Sequence, residues 1–165
     1  MSIFEEVMLE AEAAESRERD AIAEAALLKA RQAEEFAKTA KEAVKCLEKL
    51  LEVERAGIVN RGGTSSIRHQ IFSAHYTVVI NFTFAQLSTD SRTPPEFSIM
   101  IRGGDLPGKY TMIGHGKLEM ESNYAPSQLG KELTVEEKFD SEPIKNGLRT
   151  LFTEAFSYYK TRNKA

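Results

Sequence analysis

The stretch "HYTVVINFTFAQL" (His75–Leu87) alternates apolar and polar side chains along most of its length. A period of two is typical of a β-strand that buries one face and exposes the other. The buried face is predicted to carry Tyr76, Val78, Ile80, Phe82 and Phe84. Thr77, Asn81 and Thr83 fall on the other face, where Val79 is the exception. This stretch is therefore predicted to be a half-buried β-strand.

This strand and the sequence around it predict an antiparallel meander of four or five strands. Further strands are predicted at Phe97–Arg102, Tyr110–Met120 and about Leu133–Phe139, with Ser122–Glu132 as a linker. Leu106–Lys109 suits a type II turn, because proline stands second and glycine third. The connections are too short for helical crossovers, which favours antiparallel pairing. Thr64–Ala74, before the strand, is ambiguous between a strand and a short helix.

The last element is predicted to be an amphipathic helix that starts after Asp140 or Ser141 and covers one face of the sheet. Glu142 and Pro143 suit its first turn. Apolar residues then recur every three or four positions as far as Tyr159. The predicted class is therefore α+β: a long N-terminal helix, an antiparallel sheet of four to five strands, and a C-terminal helix packed on the sheet.

The N-terminal segment is predicted to be helical because it contains no glycine or proline before Gly57. Ser2 and Glu5 fit a capping box, and Gly57 is predicted to end the helix. The stretch Glu15–Asp20 is polar on every side, so the helix either breaks there or faces solvent. The domains predicted from this pattern are a helical arm, 1–56, and an α+β body, 57–165.

An apolar seam with heptad spacing runs along the second half of the arm. Its members are mostly alanines, which let two helices approach closely. This pattern predicts a homo-oligomeric, coiled-coil-like interface; the alternative is that the arm packs on the chain's own C-terminal helix. The predicted interface residues are Ala30, Ala33, Phe36, Ala37, Ala40, Val44, Leu47 and Leu51.

Composition excludes several classes of protein. The net charge of −3 over 165 residues makes nucleic acid an unlikely partner. Residues 1–56 carry 14 acids and 9 bases, so the polar face of the arm would be repelled by an anionic membrane. No apolar run is long enough to span a membrane, and the single cysteine, Cys46, argues against a disulfide-stapled secreted domain. A cytoplasmic location is expected.

Catalytic and metal-binding motifs are absent from the sequence. His75-Tyr76-Thr77 resembles the His-x-Thr signature of 2H phosphoesterases, a family that carries two such motifs on facing strands. His69 and His115 lack a serine or threonine two residues on, so the second motif is missing. The three histidines have no spacing typical of metal ligands. We expect no catalytic residue, no metal and no cofactor.

Two Arg-Gly-Gly runs, at Arg61 and Arg102, suggest anion binding. An arginine can form two parallel hydrogen bonds with a phosphate, and glycines leave backbone N–H groups accessible to the same anion. The candidate ligand-binding residues are Arg61, Arg68, Arg102, Lys109 and Tyr110. Turn chemistry is the alternative explanation of these glycines.

The sequence favours a non-enzymatic, homo-oligomeric binding protein. Its arm would assemble copies of the chain, and its β body would present a surface to a ligand or a protein partner. The alternative is a protein that binds or sequesters a small phosphorylated ligand, such as a nucleotide, through the Arg-Gly-Gly loops.

Overall fold

The computed structural model describes residues 1–85, 95–117, 127–136 and 142–163. It confirms the α+β class, with a long N-terminal helix, a five-stranded antiparallel sheet and a C-terminal helix on the sheet. The elements are α1 (Ile3–Asn60), β1 (Ser65–Ile71), β2 (Tyr76–Phe82), β3 (Glu96–Leu106), β4 (Lys109–Lys117), β5 (Ser127–Glu136) and α2 (Glu142–Asn163). The predicted α2 caps, Asp140 and Ser141, lie outside the described residues.

Helix α1 begins with the predicted capping box. The Ser2 N–H donates to Glu5 Oε2 at 2.7 Å, and the Glu5 N–H donates to Ser2 Oγ at 3.2 Å. The helix continues without a break through Glu15–Asp20, all of which is exposed. It also continues through Gly57, where an end was predicted, as far as Asn60. Helix α1 continues beyond Gly57 because the hydrogen bonds that terminate it are made by Gly62 and Gly63.

The five strands pair in sequence order, each antiparallel to the next. Strand β1 resolves the ambiguity of residues 64–74: Ile67 lies opposite Ile80, and Ile80 lies opposite Ile99. The linker predicted at Ser122–Glu132 was wrong in its second half, because β5 begins at Ser127. The register with β4 is irregular there and Gly130 has a φ of 70°, so the alternation that identifies a strand is interrupted.

Helix α2 packs on one face of this sheet, which we call the core face. The rings of Phe82 and Phe152 lie 5.1 Å apart, and Gly147 lies against Met112. Because a Cβ at Gly147 would stand 2.6 Å from the Met112 sulfur, this glycine lets the helix approach the sheet closely. The buried side chains of β2 and β3 alternate onto this core face.

The C-terminal part of α1 belongs to the same compact unit, which comprises Ala40–Ala165. Its buried residues are Ala40, Ala43, Val44, Leu47 and Leu51. Glu48 is hydrogen-bonded to His69, which lies on the core face of β1. His69 is opposite the buried Val78 of β2. The division into compact units falls within α1, after Thr39, because the part of the helix that follows contributes apolar side chains to the core.

Candidate functional site

The first Arg-Gly-Gly run terminates helix α1. The Gly62 N–H donates to the Val59 carbonyl at 2.9 Å, and the Gly63 N–H donates to the Ile58 carbonyl at 3.0 Å. Gly62 has a φ of 86°. This hydrogen-bond pattern is the Schellman motif, which satisfies free carbonyls at a helix end and favours glycine in the left-handed position. The two glycines are thus explained by the end of the helix, and Arg61 is exposed before them.

The second Arg-Gly-Gly run lies in an irregular part of β3. A Cβ at Gly103 would stand 2.5 Å from the Tyr76 ring, which packs across it. Gly104 has a φ of 94°, and the register with β4 shifts between Arg102 and Leu106. The glycines at this site are explained by aromatic packing and by a β-bulge.

Arg102 forms an ion pair within its own strand, with Asp105. Its Nη2 donates to Asp105 Oδ1 at 3.1 Å, and its Nε also donates to the same carboxylate. The hydrogen bond from Arg102 has the largest effect and lowers the pKa of Asp105. Burial has the next largest effect and raises it, and the charges of Arg102 and His75 lower it further. The same hydrogen bond raises the pKa of Arg102. An anionic ligand would have to compete with Asp105 for this guanidinium.

The two Arg-Gly-Gly runs lie at opposite ends of β2. Arg102 lies opposite Thr77, near the start of that strand. Thr64, which follows the first run, accepts a hydrogen bond from the Thr83 N–H just past its other end. Six residues of strand separate Thr77 from Thr83, or about 20 Å at ~3.4 Å per residue. The arginines therefore do not converge on one pocket, which removes the geometric basis for a shared anion site.

Tyr110, one of the candidate ligand-binding residues, lies in the core. Only 4% of its surface is exposed, and its ring meets Tyr76 edge-on at 6.4 Å. It points inward because it lies opposite Val135 in the same cross-strand layer as Tyr76 and Gly103. Lys109, its neighbour, is exposed at the end of the predicted Pro-Gly turn, and Arg68 is exposed on β1.

Arg68 and Arg102 share the second face of the sheet, which we call the open face. Its side chains are half-exposed or exposed, and along β2, β3 and β4 they alternate with buried residues of the core face. Polar residues form its two ends, and an apolar row crosses its middle. The open face comprises Ser66, Arg68, Gln70, Thr77, Val79, Asn81, Ser98, Met100, Arg102, Thr111, Ile113 and His115.

The three histidines do not meet. His69 is bonded to Glu48, and His75 stacks on Phe72 with ring centroids 4.3 Å apart. His115 lies on the open face opposite Ser98, and its buried Nδ1 has no hydrogen-bond partner among the described residues. Within the described part of the chain, no three His, Cys, Asp or Glu side chains are placed to hold a metal ion.

The eight residues predicted for an oligomer interface divide into two groups. Four are buried within the chain's own core, which makes them unavailable to a second copy: Ala40, Val44, Leu47 and Leu51. The other four remain accessible. Ala30 and Ala33 are exposed, and Phe36 and Ala37 are half-exposed. The candidate interface is therefore restricted to the part of α1 before Ala40.

The unit Met1–Thr39 leaves large apolar side chains uncovered. Every residue from 1 to 35 is exposed, including Phe4 at 72%, Ile22 at 64% and Leu27 at 55%. A helix of this kind gains little from the chain itself, since most helical stability in proteins comes from packing of an apolar face. A large uncovered apolar surface marks an interaction site.

Comparison with known proteins identifies no relative: no protein family, no curated protein and no solved structure matches this chain. Neither of the two described helices has a stretch both long and apolar enough to span a bilayer. What can be inferred about function consequently comes from the surfaces of the molecule.

Proposed function

We propose that this protein is a homo-oligomeric interaction protein, assembled through residues 1–39 of α1. The observation that carries the proposal is the complete exposure of residues 1–35, even though large apolar side chains such as Phe4 and Ile22 stand among them. A second copy of the same helix would cover them.

These side chains follow a helical spacing. Residues three and four positions apart share one face of an α-helix. One such face is marked by Phe4, Val7, Met8, Ala11, Ile22, Ala25, Ala26, Ala33, Phe36 and Ala37, and we call it the apolar stripe. Covering a large aliphatic or aromatic side chain stabilises a complex by roughly 1.5–3 kcal/mol. Several such side chains on each of two helices favour association.

A membrane surface is a poorer partner for the stripe. Residues 1–39 carry ten acidic and five basic side chains. Amphipathic helices that lie on anionic membranes are rich in lysine and arginine on their polar face. An acidic helix with an apolar stripe fits another protein helix instead.

The open face is the surface that the assembled copies would present to a further partner. Its apolar row of Val79, Met100 and Ile113 is flanked by hydroxyl and amide side chains. A binding role rather than a catalytic one is proposed on the sequence alone. A cytoplasmic location is likewise a proposal, supported by the single cysteine, Cys46, which is free and exposed.

Two matched variants test the assembly. Ile22 lies in the apolar stripe, whereas Leu27 lies on the opposite side of the helix, and both are more than half exposed. Light scattering should show that Ile22→Glu reduces the mass to that of one chain, because the interface would have to bury a carboxylate. Leu27→Glu should leave the mass of the assembly unchanged. Equal masses for the two variants would contradict the proposal.

A further inference from the structure

Charged residues interrupt the apolar stripe at defined places. Glu15 and Glu18 stand between Ala11 and Ile22, and Lys29 stands between Ala26 and Ala33. All three side chains are exposed. Because they share the face that carries the apolar residues, the way in which two copies pair decides which charges meet.

A parallel pair in register places like charges together. Glu15 would face the partner subunit's Glu15, and Lys29 would face the partner subunit's Lys29. Like charges that face each other destabilise paired elements. The parallel arrangement is thus opposed at three positions, since Glu18 would also meet its own copy.

An antiparallel pair centred on Ile22 places opposite charges together. Glu15 precedes Ile22 by seven residues, and Lys29 follows it by seven. Each Glu15 would therefore face the partner subunit's Lys29, and the twofold symmetry would repeat this ion pair at both ends.

The apolar residues match in the same register. Ala11 and Ala33 are each eleven residues from Ile22, and Met8 and Phe36 are each fourteen residues from it. Ala11 would thus face the partner subunit's Ala33, Met8 would face the partner subunit's Phe36, and Val7 would face the partner subunit's Ala37. Large side chains that face small ones let two helices interdigitate.

The charge of the two halves favours the same direction. Residues 1–20 hold seven acids and two bases, for a net −5, whereas residues 21–39 hold three of each. Antiparallel pairing sets the acidic half of one copy against the neutral half of the other. Parallel pairing would set −5 against −5, which repels at ordinary ionic strength.

We infer that two copies of this chain pair antiparallel through residues 7–37 of α1, about a twofold axis at Ile22. The inference rests on the proposed assembly, and it adds the partner's direction and register. The Glu15–Lys29 pairs select the direction, and the apolar stripe supplies the contact area.

Distances between spin labels on the full chain test the direction. Leu9 is exposed on the side away from the stripe, so Leu9→Cys in a Cys46→Ser background leaves the contact intact. Antiparallel pairing separates the two labels by 26 residues, or about 39 Å along the axis, and by about 20 Å across the pair, which gives a distance of about 44 Å. Parallel pairing brings them to about 20 Å, the width of two helices. Mixed with Glu35→Cys, the Leu9 label should instead give the short distance.

Light scattering on the labelled chains separates failure of the inference from failure of the proposed function. A single-chain mass removes the assembly altogether. An assembly in which the Leu9 labels lie about 20 Å apart keeps the proposed function and overturns the antiparallel direction. An assembly whose Leu9 labels give neither this short distance nor the long antiparallel distance overturns the register.

Charge reversal gives a second readout. Lys29→Glu would set a carboxylate at position 29 against the partner subunit's Glu15 at both ends of the pair. The dimer should weaken about three- to tenfold at low salt. Adding Glu15→Lys should restore the affinity, because the pairs re-form with exchanged signs. If the double variant dimerises no better than Lys29→Glu, these residues do not meet.

Discussion

Leu51→Ala should lower the free energy of unfolding of the body far more than Leu27→Ala does, although both leucines lie on α1. Leu51 is fully buried in the unit Ala40–Ala165, whereas Leu27 is 55% exposed in the unit Met1–Thr39. Residue type, helix and substitution are the same in the two variants. The difference between them therefore isolates the contribution of burial.

The magnitude follows from the atoms removed. Leu→Ala deletes the equivalent of three methylene groups, each worth about 0.8 kcal/mol when buried. The cavity that remains adds to this loss, so Leu51→Ala should cost about 2–5 kcal/mol. Leu27→Ala removes atoms that are already largely hydrated and should stay within about 0.5 kcal/mol.

Urea unfolding followed by circular dichroism measures both variants at one protein concentration, because association shifts apparent stability. With a denaturant slope of ~2 kcal/mol per molar, Leu51→Ala should lower the midpoint by roughly 1–2.5 M. Similar midpoints for the two variants would refute the claim that the core includes α1 only from Ala40 onward.

Three further predictions concern two glycines and the Arg102–Asp105 ion pair. Gly57→Ala should stabilise the chain by about 0.5–1 kcal/mol in thermal unfolding, because Gly57 lies inside a helix with open space beside it. Gly62→Ala should destabilise it by about 1–2 kcal/mol, since φ is 86° there. The NMR-detected pKa of Asp105 should lie below the usual aspartate range and return to that range in Arg102→Ala. Because a lowered folded-state pKa favours the native state above the unfolded pKa, any stability from this pair should fade as pH drops through the folded pKa.

The local patterns in the sequence were sufficient for the fold class. Ser2 and Glu5 form the predicted capping box, and the alternation of residues 76–82 matches β2. These patterns were reliable because each depends on residues close in sequence. The sequence also predicts a loop at Ser88–Glu96, because its Pro94-Pro95 pair disfavours a helix and a central strand. Residues 88–94 of this loop lie outside the described residues.

Where the candidate ligand-binding residues lie in the fold could not be predicted from the sequence, because their positions depend on tertiary structure. Arg61 and Arg102 share a motif, but one run ends a helix and the other accommodates a bulge. Tyr110 was expected at a surface, and only the cross-strand register places it beneath Tyr76. The heptad pattern also did not indicate where the helix becomes covered, since the same seam continues from exposed Ala30 to buried Leu51.

The mass of the unmodified chain in solution tests the central claim most directly. Sedimentation equilibrium should give twice the 18.5 kDa mass of one chain, because the exposed apolar stripe of residues 4–37 requires a partner. A mass of 18.5 kDa at every concentration up to the millimolar range would contradict the proposed assembly.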